Sequence, residues 1–152
     1  MTATITLAFL HHAAAFLVVA ALMTELVLLR NDLTVASARS VLRMDAVYGI
    51  AAIVLVVAGL LRVFYTEKGA TYYFASGTFL AKLTLFIVVG LLSIYPTVKF
   101  LRWRTALQAQ RVPEFLPDTR RTVRIIVHAE ITLLFVIMLL APMMSRGIGF
   151  LG

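Results

Sequence analysis

Apolar and polar positions fall into long blocks along this chain. Four apolar blocks, about residues 5–29, 46–64, 79–98 and 123–144, each run for about 20 residues, the length a helix needs to cross a hydrocarbon core. Within the second block, Asp45, Tyr48, Ala52, Leu55, Gly59 and Arg62 follow at spacings of 3, 4, 3, 4 and 3, which places them on one helix face. After Met44, the charged, hydroxyl and glycine positions of that block all lie on this face, with Gly49 the exception, and the opposite face is Ile, Val and Leu. A helix in lipid that gathers its few polar groups on one side turns that side toward protein, a cavity or a bound molecule.

The other blocks repeat the pattern. In the first, His11, Ala15, Val18, Leu22 and Glu25 share a face, while His12 sits about 100° round from His11. In the third, Lys82, Phe86, Val89, Ser93 and Pro96 share one, and Gly90 allows close helix packing. In the fourth, His128 and Glu130 are two positions apart and cannot both face the bundle centre, so one of them is expected at a groove, a neighbouring subunit or the interface. The expected fold is all-α: one integral membrane domain over residues 1–152, an antiparallel four-helix bundle. The connection before the second block is expected to hold a short interfacial helix over 36–44. Tyr65, Tyr72, Tyr73 and Phe74 make an aromatic loop suited to headgroup depth, and Pro113 and Pro117 mark an irregular loop over 108–119.

Composition agrees with a membrane protein. Of 152 residues, 62% are hydrophobic and 14% charged, more apolar than a soluble domain of this length can be. Mean hydropathy is +0.99. The first block lacks a basic flank, is longer than a signal-peptide core and carries two histidines and Glu25, so it is read as a retained span.

The net charge of +7 is unevenly distributed: of 14 Lys and Arg, ten follow the first or third block and four lie on the other side. Basic loops remain in the cytoplasm, so both termini are expected outside, in a bacterial inner membrane. This distribution accounts for the charge through positive-inside bias and anionic lipid, and nucleic acid is not an expected partner. There is no cysteine, which excludes disulfides and thiolate ligands.

Helix direction and depth sort the intramembrane polar groups into two layers. The outer layer holds His11, His12, Arg62 and Lys82, with no carboxylate from the spans, and Glu67 in the outer loop is a candidate to reach it. Unpaired charge at this depth is costly, so an anionic partner is expected. Arg62 and Lys82 also lie near enough to helix ends to snorkel, and that reading stays open. The inner layer holds Glu25, Asp45, Tyr48, Tyr95, Arg124, His128 and Glu130. Its acids and bases can neutralise one another, so it is read as structural.

Metal-site spacings, a phosphate loop, a nucleophile elbow and a dinucleotide fingerprint are all missing. Haem needs only one or two axial side chains, and its propionates would suit Arg62 and Lys82. His128 is not expected to share an iron with His11, since the two lie roughly 10 Å apart in depth at 1.5 Å per residue.

The order of these features resembles a small family of predicted four-span bacterial membrane proteins. The residues that carry the likeness are Leu10-His11-His12, Glu25 to Arg30, Gly59 to Phe64, Lys68-Gly69-Ala70, Ala81-Lys82-Leu83 and Ser93 to Thr97. More distantly, the chain resembles the four-helix membrane protoporphyrinogen oxidases of the HemJ type and the copper-resistance protein D group. Leu10-His11, Arg43-Met44-Asp45 and Ala81-Lys82-Leu83 match oxidase patterns. Asp45 stands where those enzymes have Glu, His12 is additional, and the fourth span carries His128-Ala129-Glu130 in place of Asn-Glu-x-Pro.

The distant resemblance implies a b-type haem or related porphyrin in the outer half, with His11, or His12 if the helix is rotated, as iron ligand, Lys82 as a second ligand or propionate partner, and Arg62 as a propionate partner. It implies an electron-transfer or oxidoreductase role. The alternative from the residues alone is a cofactor-free accessory subunit of a membrane complex, or a small-solute membrane protein. An off-centre Glu130 would also favour a homodimer.

Overall fold

The computed structural model describes residues 2–66 and 69–149. It is helical, with four long helices: α1 (Thr2–Leu28), α2 (Val35–Leu61), α4 (Gly77–Leu101) and α6 (Pro117–Ser145). Two short ones, α3 (Ala70–Phe74) and α5 (Arg104–Gln108), lie in the connections, and a π-helical turn, Arg62–Thr66, continues α2. All four long helices have the length and apolarity to cross a membrane, so the protein is a four-helix membrane bundle.

The helix ends follow from local chemistry. Thr34 caps α2: its hydroxyl accepts the Ser37 amide at 3.1 Å while the Ser37 hydroxyl accepts the Thr34 amide at 2.8 Å, a reciprocal capping box. Nothing breaks the chain between this cap and residue 46, so the expected separate helix over 36–44 is the beginning of α2 itself. Pro117 occupies the first turn of α6, where its missing N–H removes no intrahelical bond, and Asp118 there suits the positive end of the helix dipole. Pro96 does not end the third span. It is buried within α4, which runs on to Leu101.

The backbones come closest along two pairs, α1 against α2 and α4 against α6, and approach less extensively between pairs. The bundle is therefore two helical hairpins with a wider seam between them. Val18 and Leu22 of α1, Val41 of α2, Val89 of α4 and Val123 and Val127 of α6 form the buried core. Phe100, Trp103 and Phe115 close one end, ring centroids 5.0 and 5.1 Å apart.

At the other end the chain after α6 returns to α4. The Gly77 amide donates to the Gly149 carbonyl at 2.8 Å, and the Thr78 hydroxyl to the Ile148 carbonyl at 3.1 Å. Gly149 has φ +83°, and a Cβ there would meet Thr78 Cγ2 at 3.0 Å, so this return requires glycine. Large apolar side chains such as Phe9, Phe16, Ile53, Ile87 and Leu139 face outward on every long helix, which is the arrangement lipid contact needs.

Candidate functional site

His11 lies on α1, half-buried against α2. Its Nδ1 is 3.0 Å from the backbone carbonyl of Leu55 on α2. A carbonyl can only accept, so Nδ1 carries the proton and donates it, which leaves the Nε2 lone pair available. Histidines that bind a metal commonly donate their other ring N–H to a backbone carbonyl in this way. Gly59, one turn beyond Leu55, makes room for the ring: a Cβ on Gly59 would stand 3.1 Å from His11 Cε1.

Arg62 and Lys82 are the cations close enough to act on His11. Lys82 is itself half-buried, and its charged neighbour is Arg62, another cation. Among the described residues, Lys82 has no hydrogen-bond or ion-pair partner. An imidazole with a free nitrogen and two cations therefore meet at one level of the bundle. That combination suits an anionic ligand. Glu67 and Lys68 lie outside the described residues, so the expected reach of Glu67 toward this layer concerns a position the structure does not describe.

His12 does not join the group. It is exposed on the lipid side of α1, its Nδ1 2.6 Å from the Ala8 carbonyl of its own helix, although its ring touches His11 edge-on with centroids 5.9 Å apart.

The inner layer lies roughly 20 Å along the helices from His11, by fourteen residues of rise between His11 and Glu25. Glu25 and Glu130 are 2% and 1% exposed, and Asp45 and Tyr48 are also buried. Asp45 accepts a hydrogen bond from the Thr97 hydroxyl at 2.6 Å, which ties α2 to α4 across the seam. Tyr48 meets Ser93 of α4 and Glu130 of α6.

Three expectations about this layer are corrected. Glu130, not His128, is the inward group of α6, because Val123, Val127, Glu130 and Leu134 form one buried stripe at spacings of 4, 3 and 4. With Glu130 at the centre, its use as an argument for a homodimer falls away. Tyr95 turns outward, with Lys99 Nζ 5.2 Å from its ring centre. The expected self-neutralisation is also not seen: among the described residues Glu25, Asp45 and Glu130 form no ion pair, Arg124 Nε is buried without a partner, and His128 is exposed on another side of α6.

His128 instead lines an open groove of about 600 Å³ with Asp32, Phe115, Pro117, Arg120, Arg121, Arg124 and Ile125. Its Nδ1 is bonded to the Arg124 carbonyl at 2.6 Å. Arg120 reaches Asp32 at 3.3 Å, an exposed pair of little energetic weight.

Fold and site together define a class: a four-span membrane protein whose polar groups form two separate levels between paired helical hairpins. The family described as "Predicted membrane protein (DUF2214)" matches residues 3–149, and the chain belongs to it. No curated protein and no solved structure matches the chain.

Proposed function

We propose that this protein binds a b-type haem or related porphyrin in the half of the bundle that holds His11, and takes part in electron transfer or oxidation in a bacterial inner membrane. The observation that carries the reading is the His11 ring, fixed by the Leu55 carbonyl and seated over Gly59 with Nε2 free. Lys82 and Arg62 provide the positive charge that two propionates need. A haem held there would supply a one-electron couple. The protein's part is to hold and orient it, and the lipid-facing side chains exclude water from the seam. His12, bonded to its own helix on the outer surface, has no part in binding.

Difference absorption spectra, oxidised against reduced, on detergent-purified variants expressed with ample haem test this. His11→Ala is expected to lose the spectrum and His12→Ala to keep it. Equal spectra from both variants would remove His11 from the role. A featureless wild-type spectrum would leave the accessory-subunit or small-solute reading in its place.

A further inference from the structure

The porphyrin reading makes no use of the inner layer, which has its own unanswered chemistry. Glu25 comes from α1, Asp45 from α2 and Glu130 from α6, all three buried, with Asp45 and Glu130 near enough for their charges to reach Glu25 and Asp45 near enough to reach Glu130. One Glu25 oxygen is buried without a hydrogen-bond partner, and the Glu130 carboxylate, also buried, has the Tyr48 hydroxyl as its neighbour but no hydrogen bond of good geometry. Among the described residues, none of the three acids takes part in an ion pair.

The groups facing the trio are known on every helix around it. Tyr48 accompanies Asp45 on α2, and α4 presents only the hydroxyls of Ser93 and Thr97, since Lys99 turns out over Tyr95. On α6, Arg124 lies six positions before Glu130, roughly 9 Å along the axis, with its Nε also buried and unpartnered. His128 is exposed on another side of α6.

Three carboxylate charges gathered at this depth without a counter-charge would be very costly. Something positive must bind with them. No group of three His, Asp or Glu side chains among the described residues is arranged to hold a metal ion. A proton needs no converging set of donors: it rides on a single oxygen and turns an acceptor-only carboxylate into a donor toward its neighbour.

We propose that Glu25, Asp45 and Glu130 form a proton-binding site in the half of the bundle remote from His11, with Tyr48 and Thr97 as its hydroxyl neighbours. The site stands independently of the porphyrin. It gives the bundle a place to take up and pass on protons among three helices.

Infrared difference spectroscopy of the full chain in lipid vesicles, with a pH step in H₂O and in D₂O, tests it. Carboxylic-acid C=O bands that shift in D₂O are expected at neutral pH, well above the ordinary carboxylate range. Glu25→Gln and Glu130→Gln should each remove one carboxyl's share of the signal. Absence of such bands in the wild type would overturn the proposal, and so would bands unchanged in both variants. Loss of the bands on adding sodium or potassium at fixed pH would overturn it in favour of a metal cation. If the glutamine variants fail to fold, the wild-type D₂O and salt results decide the matter, with Asp45→Asn as the remaining substitution.

Discussion

His11 and His12 are adjacent and chemically identical, yet one helical step of 100° turns the first against α2 and the second to the exposed surface. The spacing of His11 with Val18, Leu22 and Glu25 already contained this result, because 3.6-residue geometry fixes which neighbours share a face. What spacing could not supply is the Leu55 carbonyl, a backbone group on another helix that selects the tautomer. The orientation of α6 was legible in principle: the stripe of Val123, Val127, Glu130 and Leu134 points Glu130 inward, whereas His128 and Glu130 considered as a pair leave the choice open.

Gly59 offers a test at this scale. Gly59→Ala gains about 1 kcal/mol of helix propensity and places a Cβ 3.1 Å from His11 Cε1, so its stability should stay near that of the wild type. Gly59→Val has less propensity to gain and should lose about 1–3 kcal/mol by overpacking while displacing the ring. Thermal denaturation in detergent checks both. Equal stability for the valine variant would mean that His11 does not rest on Gly59.

At the scale of elements, the four helices were legible because lipid demands apolar blocks of a fixed length, and each block supplies one. Their ends were less so. Hydropathy stops where charge begins, near Asp45, but the helix stops where its backbone amides find caps, and that is Thr34 with Ser37. Thr34→Ala should therefore destabilise the start of α2 by about 1 kcal/mol, read as earlier amide exchange over residues 35–38; unchanged exchange there would contradict the capping role. Across the seam, Thr97→Val removes the 2.6 Å bond to Asp45. A loss of about 0.6–1.7 kcal/mol is expected for an interhelical bond in a membrane, with the melting temperature as the readout. No loss would mean that the seam is held by apolar packing alone.

For the whole molecule, two hairpins that pack tightly within themselves and more loosely against each other leave a seam, and both polar levels lie along it. Composition told that the chain belongs in a bilayer, and the paired approach of α1 with α2 and of α4 with α6 is something only three dimensions reveal. Orientation rests on the uneven placement of Lys and Arg. Because the chain has no cysteine, single ones can report it. Val112→Cys should react with an impermeant thiol reagent only from the cytoplasmic side and Ala3→Cys only from the outside, and the reverse pattern would invert the bundle. The central claim, a redox-active porphyrin on His11, meets its most direct test in the absorption spectrum of the purified wild-type protein with its haem content quantified. A b-type spectrum at close to one haem per chain is the predicted result. A colourless protein after expression with ample haem would contradict it.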